Sequence, residues 1–178
     1  KLQPVFTRPS PLADVAVQGR FGAGTGAAGV TLSVRHPLTI FTVIARKGKS
    51  RAVADALSRL KGVAVQWAGP DQYFVLAEGA FTPELDGIAS VSDQSHGRVV
   101  IRISGPKARQ VLAKGTPVDL HPSEFPVGKS ALTQMAHVGV HLTRVGADSY
   151  DLSVFRGFSE SFWEWLSEQS EEFGYFVR

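Results

Sequence analysis

Three stretches of the chain carry residue types and spacings that could do chemistry. Gly24-x-Gly26-x-x-Gly29, within the run Gly22-Ala23-Gly24-Thr25-Gly26-Ala27-Ala28-Gly29, has the spelling of a dinucleotide-binding loop. In such a loop the glycines let backbone approach a pyrophosphate, and a helix opening on the last glycine turns its N–H groups toward the anion. Here Val30-Thr31-Leu32-Ser33-Val34-Arg35 follows, alternating like a strand, and the first downstream carboxylate, Asp55, comes too late for a ribose contact. The stretch is therefore expected to be a mobile or partner-clamped glycine turn, not a nucleotide site.

Gly48-Lys49-Ser50 stands between a strand-like and a helix-like segment, where a phosphate-binding loop would stand, and Gly128-Lys129-Ser130 repeats the tripeptide. Wrapping a phosphate in successive backbone N–H groups needs another glycine five positions earlier; those positions hold Val43 and Ser123. Both tripeptides read as cationic turns. His137-Val138-Gly139-Val140-His141 places two imidazoles four residues apart. On the alternating strand expected there they share a face but lie roughly 13 Å apart, too far for one metal ion. His36, His96 and His121 form no ligand spacing, no Ser-His-Asp set carries a nucleophile-elbow signature, and Met135 reads as core. Lys107 and Arg109 near a helix start have the wrong sign for the helix dipole; pointing into water or receiving an anion are the two readings. No catalytic, cofactor-binding or metal-ligating residue is assigned to this chain.

The elements that must position these residues follow from periodicity. Residues 1–37, rich in Gly and Pro, read as an extended arm with brief strand character at 30–35. Then come a strand at 38–45, a helix at 51–60 stopped by Gly62, a hairpin of 63–67 with 73–77 around Gly69-Pro70-Asp71, and a short helix capped by Thr82 with Pro83 first, running through Leu85 and Ile88. The second half repeats the order: a strand at 98–103, a helix from Gly105-Pro106 to Gly115, a Pro-rich link at 116–130, a long strand at about 131–145, a strand at 150–155 and a closing helix at 160–171.

At a shift of 77, Gly69 falls on Gly146, Asp71 on Asp148, Tyr73 on Tyr150 and Phe81 on Phe158. The expected fold is α+β: two similar β-α-β-β-α units, about 38–92 and 93–178, related by a pseudo-two-fold, with mostly antiparallel sheets and helices packed on one face. Each unit has an apolar sheet face that pairing would bury.

The chain is long enough for one domain of 38–178 plus the arm, and it lacks cysteine, which excludes disulfides and thiolate metal sites. Prolines and Arg8 break any early apolar run, so no signal peptide or membrane span is expected and the cytoplasm is the default location. Ten Lys and Arg between Lys1 and Lys61 face Asp14 and Asp55 alone, whereas residues 148–178 carry seven acids against Arg156 and Arg178. Such polarity steers an acidic partner or joins two faces of one fold. A basic RNA-binding module is a distant reading, because the basic third carries only Phe6, Phe21 and Phe41 for stacking. Near the C-terminus Ser159 is expected to cap a helix, with Phe158 and Trp163 as a staple. Phe162, Trp163, Trp165, Leu166 and Phe173 span a wider arc than one sheet contact needs, which suits either a subunit contact or core packing.

Asp93-Gln94-Ser95-His96, the strand 98–103 and Gly105-Pro106-Lys107-Ala108 with Leu112 resemble the aminomethyltransferase (glycine-cleavage T-protein) superfamily. Pro9-Ser10-Pro11-Leu12, residues 128–142 and residues 148–166 resemble, within it, the gamma-subunit family of heterotetrameric sarcosine oxidase. The resemblance implies a folate-binding-type α+β fold within an assembly of alpha, beta, gamma and delta subunits. That assembly oxidises sarcosine to glycine, makes hydrogen peroxide and passes a one-carbon unit to tetrahydrofolate. It further implies that FAD, FMN, NAD, zinc and tetrahydrofolate are held by the other subunits, with neither nucleic acid nor membrane as partner. Where the superfamily has a functional aspartate on the strand after the Met, this chain reads Val138-Gly139-Val140-His141-Leu142-Thr143, so the folate chemistry does not carry over. A noncatalytic subunit, using the arm and the aromatic C-terminal helix as contact surfaces, is the leading expectation. A stand-alone folate-dependent one-carbon transferase is the alternative.

Overall fold

The computed structural model describes residues 8–178. Alternating and buried apolar runs become eleven strands: β1 (Gly19–Phe21), β2 (Val30–Val34), β3 (Thr39–Ala45), β4 (Ala64–Gly69), β5 (Gln72–Ala77), β6 (Ala89–Asp93), β7 (Arg98–Ser104), β8 (Ser130–Met135), β9 (Val138–Gly146), β10 (Ser149–Phe155) and β11 (Tyr175–Val177). Helical spacing gives α1 (Ser50–Ser58), α2 (Ala108–Ala113) and α3 (Ser159–Ser170). The strands form a seven-stranded sheet, β1-β11-β2-β7-β10-β9-β8, and a four-stranded sheet, β4-β5-β3-β6. Every pairing is antiparallel except β11 with β2. This is the expected mostly antiparallel α+β class.

Strand alternation divides the core. Phe41 and Val43 of β3 and Val75 of β5 pack under Val53 and Leu57 of α1. Ile101 and Ile103 of β7 and Leu152 and Val154 of β10 pack under α2 and α3 through Val111, Leu112, Phe162 and Leu166. The intervening residues point the other way, and there Ile40, Phe74, Leu76 and Ala68 of the small sheet meet Val100 of the large one. Two sheets thus lie back to back, the small one covered by α1 and the large one by α2 and α3 on their outer faces.

The two hairpins share one register. Trp67↔Tyr73 and Val65↔Val75 in β4–β5 correspond to Arg144↔Tyr150 and Leu142↔Leu152 in β9–β10, each 77 residues on, and both hairpins carry an irregularity beside the turn. The outer strands are exchanged. β6, which immediately precedes β7, joins the small sheet beside β3, while β2, which precedes β3, joins the large sheet beside β7.

Three sequence expectations need correction. Residues 8–37 do not form an extended arm: β1 and β2 belong to the large sheet and Leu12 is fully buried in its core. Glycine-rich composition hid strands whose partners lie at the far end of the chain. The helix at 82–88 is a single turn in which Leu85 O accepts from Ile88 and Ala89 N–H, ended by Gly87 at φ +80°. So few residues between Pro83 and Gly87 cannot repay helix nucleation, and the chain continues as β6. The long strand at 131–145 is two strands, because Ala136 and His137 both adopt left-handed φ, +52° and +64°, and turn β8 into β9.

Candidate functional site

The glycine loop has the polarity opposite to a phosphate cradle. Its carbonyls converge on the chain's own Arg20, whose Nε donates to Gly26 O at 3.1 Å and Nη2 to Ala23 O at 2.8 Å, with Nη1 reaching Phe21 and Gly22 carbonyls. Of its N–H groups, Ala23 donates to Glu171 O and Gly29 to Phe173 O. A Cβ on Gly22 would stand 2.6 Å from Glu171 O, so the close approach itself requires glycine there. The loop is clamped by the C-terminal segment of the same chain rather than by a partner, and a dinucleotide does not fit a site already holding a guanidinium.

The two Gly-Lys-Ser tripeptides end in different structures. Ser50 opens α1, whereas Ser130 opens β8, and Lys129 Nζ donates to Glu124 O. Lys107 lays its stem over Gly29 and its ammonium near the Phe173 ring. The histidines do not converge: His137 is in the β8–β9 turn and His141 is inside β9. No group of three or more metal-ligating side chains gathers among the described residues. Met135 is fully buried in the helix-side core.

Asp93-Gln94-Ser95-His96 forms the β6–β7 turn. Asp93 Oδ1 accepts from Ser95 N–H at 2.8 Å, while Ser95 Oγ accepts from Ile40 N–H at 3.0 Å, which ties the turn to β3. Hydrogen bonds from Ser95 hold the Asp93 carboxyl below its ordinary pKa. Beside this turn lies an open cavity of about 470 Å³, bordered by His36, Leu38, Phe41, Glu78, Phe81 and Asp93 among others.

The densest polar constellation lies between the sheets, and single-sequence reading missed it. Asp151 of β10, 3% exposed, receives Arg102 Nε at 2.7 Å and Arg102 Nη2 at 3.0 Å, with Arg35 Nη1 on the same carboxylate at 3.0 Å. Arg35 also reaches Glu78, at the end of the small sheet. The hydrogen bond to Asp151 raises the pKa of Arg102. Next to it Arg98 donates to Ser153 Oγ and lies over the rings of Phe74 and Phe155, its pKa lowered by burial. His141, 1% exposed, uses Nε2–H to donate to Trp67 O at 2.7 Å and meets Phe74 edge-on. Burial holds its pKa below the ordinary value, outweighing that hydrogen bond. On the other, helix-facing side of the large sheet, where its register partner Tyr150 points, Arg144 donates to the carbonyls of Phe125, Gly146 and Ala147. Arg102 and Asp151 are direct cross-strand partners, a signal available once β7–β10 pairing is known, but Arg35 comes from 116 residues away.

The aromatic C-terminal helix is mostly interior. Phe162, Trp163 and Leu166 are buried, and Trp165 covers Gly115. Ser159 does not cap; its hydroxyl donates to Arg156 O, and Phe158 is 55% exposed and staples nothing. Of the expected aromatic arc, Phe162, Trp163 and Leu166 are thus core packing, Trp165 and Phe173 are half-buried, and the exposed rings, Phe155 and Phe158, precede the helix. No helix among the described residues is long and apolar enough to cross a membrane.

A family model described as "Sarcosine oxidase, gamma subunit family" matches residues 36–172. The chain is 35% identical over 133 residues to a sarcosine oxidase subunit gamma of Corynebacterium sp. (strain U-96), covering 71% of this chain and 65% of that protein. It is 33% identical over 138 residues to the corresponding Arthrobacter sp. protein, covering 71% and 66%. The match thus spans just under two thirds of these relatives' length. Among solved structures, a chain of the heterotetrameric sarcosine oxidase from Corynebacterium sp. U-96 superposes with a TM-score of 0.78 at 29% identity, covering 93% of this chain and 96% of that one. The glycine cleavage system aminomethyltransferase T from Bartonella henselae superposes with a TM-score of 0.59 at 16% identity, over 81% of this chain and 47% of that one, a likeness of fold.

Proposed function

The chain belongs to the sarcosine oxidase gamma subunit family, and from that premise we propose that it is a noncatalytic structural subunit of a heterotetrameric sarcosine oxidase. Its companions, alpha, beta and delta subunits, hold FAD, FMN, NAD, zinc and tetrahydrofolate. The assembly demethylates sarcosine oxidatively to glycine with hydrogen peroxide as product and passes the one-carbon unit to tetrahydrofolate, in the cytoplasm.

The observation that carries this reading is the use of the polar interior. Arg35, Arg102, Asp151, His141 and Arg144 all bond to other parts of the same fold, and no buried side-chain nitrogen or oxygen among the described residues lacks a partner. A catalytic carboxylate or imidazole needs a free lone pair or proton facing substrate. Asp151, the deeply buried carboxylate, has both oxygens on guanidinium groups. The interior therefore supports holding a shape.

Co-purification tests the reading. The tagged chain, expressed with its neighbouring subunits, is expected to bring down a flavoprotein; recovery of the chain alone overturns it. Equilibrium dialysis with tetrahydrofolate separates the alternative, since tight binding by the isolated chain selects a stand-alone one-carbon transferase, with the cavity beside Asp93 as its site.

A further inference from the structure

Residues 46–61, from the turn after β3 through α1, carry Arg46, Lys47, Lys49, Arg51, Arg59 and Lys61 against one acid, Asp55. All seven are exposed. None of the six cationic side chains makes a hydrogen bond or ion pair among the described residues, in contrast to Arg35, Arg98, Arg102, Lys114 and Arg144. For Arg46, Lys47, Lys49 and Arg51 the fold gives no reason. Arg59, the C-cap of α1, and Lys61 just beyond it suit the negative end of the helix dipole, but Arg51 lies in the first turn, where the dipole disfavours a cation. Like charges held this close repel one another.

The same face carries apolar surface. Trp67 is 46% and Val65 38% exposed. Their register partners, Tyr73 and Val75, belong to the apolar cluster packed beneath α1, so Trp67 and Val65 point to the α1 side of the small sheet. An exposed Trp on the side of the small sheet that carries α1 and its cations is the composition of a protein contact: an aromatic anchor to be desolvated, with charged groups around it.

We propose that this α1 face docks an acidic protein surface that offers a pocket to Trp67, and the proposal rests on the subunit reading by naming the face a larger companion covers. Charge complementarity selects the occupant. Single-stranded nucleic acid would need a series of stacking rings, and Trp67 is the one exposed aromatic here. A lipid surface would need an apolar outer face on α1, whose exposed residues are Ser50, Arg51, Ala52, Ala54, Asp55 and Ser58.

The test is capture of the companion subunits by the tagged chain in three forms: wild type, Lys47→Glu/Lys49→Glu/Arg51→Glu, and Trp67→Ala. Thermal melting serves as the folding control, and Glu164→Lys/Glu168→Lys on α3 as the charge control. Capture is expected to fall about tenfold or more in the charge-reversed chain and to weaken with salt in the wild type, with Trp67→Ala also reduced and the α3 variant unchanged. Equal capture by wild-type and reversed chains overturns the docking surface and leaves the subunit reading standing. Wild-type chain that captures no companion overturns both. Charge-dependent binding of RNA, or of phosphatidylserine vesicles, in place of protein overturns the acidic protein as occupant.

Discussion

The seven-stranded sheet has two unlike sides. Toward α2 and α3 it presents Ile101, Ile103, Leu142, Leu152 and Val154, all fully buried among apolar neighbours. Toward the small sheet it presents Val100 among Arg98, Arg102, His141, Thr143, Asp151 and Ser153. Stability and alignment therefore have different sources. Apolar contacts on the helix side are non-directional and supply the bulk of the folding free energy. Hydrogen bonds on the inner side are directional: the ion pairs to Asp151 from β7 and from the end of β2 align strands within the large sheet, and the links from His141 to Trp67 O and from Arg35 to the exposed Glu78 cross to the small one.

The two sides should respond unequally to substitution. Phe162→Ala removes a fully buried ring from the helix side and is expected to lower unfolding free energy by about 3–5 kcal/mol in urea denaturation. Asp151→Ala leaves Arg35 and Arg102 without their shared carboxylate. Because Arg102 is 36% exposed and water can reach it, the expected loss is smaller, about 2–3 kcal/mol. Combining Asp151→Ala with Arg102→Ala should cost less than the sum of the single changes. A loss from Asp151→Ala equal to that from Phe162→Ala would mean that the inner layer carries bulk stability as well, and the distinction would fall.

Periodicity made much of this architecture legible. The alternation at 38–45 and 98–103 became β3 and β7, the Gly69-Pro70-Asp71 turn became the β4–β5 hairpin, and the spacing of Val53 and Leu57 became the buried stripe of α1. What stayed hidden depends on partners distant in sequence. β2 pairs in parallel with β11, across almost the whole chain. The Ala136–His137 turn lacks the Asn-Gly signal that left-handed turn residues usually announce. The candidate site was hidden for the same reason: a lone Asp151 in an alternating strand looks solvent-facing until the second sheet covers it.

Gly22→Ala probes the rim of the helix side, where the glycine loop meets the end of α3. The position has φ +78° and its Cβ would meet backbone at 2.6 Å, so a loss of about 1–3 kcal/mol is expected on denaturation. Gly26→Ala, at φ +84° with open space around it, should lose less. Equal losses at both positions would assign the effect to backbone conformation alone and remove the clamp at Glu171 from the account.

The smallest expected effect isolates the inner side by pH. Burial keeps the His141 imidazole below its ordinary pKa of 6.5, so the unfolded chain takes up a proton more readily than the folded one. The stability this provides is complete above about pH 6.5 and declines as pH falls below that value toward the folded pKa. Asp93, depressed from 3.8 by Ser95, acts in a separate window, contributing above its ordinary value and losing its contribution as pH falls through the folded one. His141→Gln keeps an N–H donor for Trp67 O and removes the titration. Melting temperature followed from pH 7.5 downward, on the order of half-unit steps, should therefore decline below 6.5 in the wild type and stay flatter in the variant. Parallel curves would place the acid sensitivity elsewhere and leave the inner layer's imidazole as packing alone.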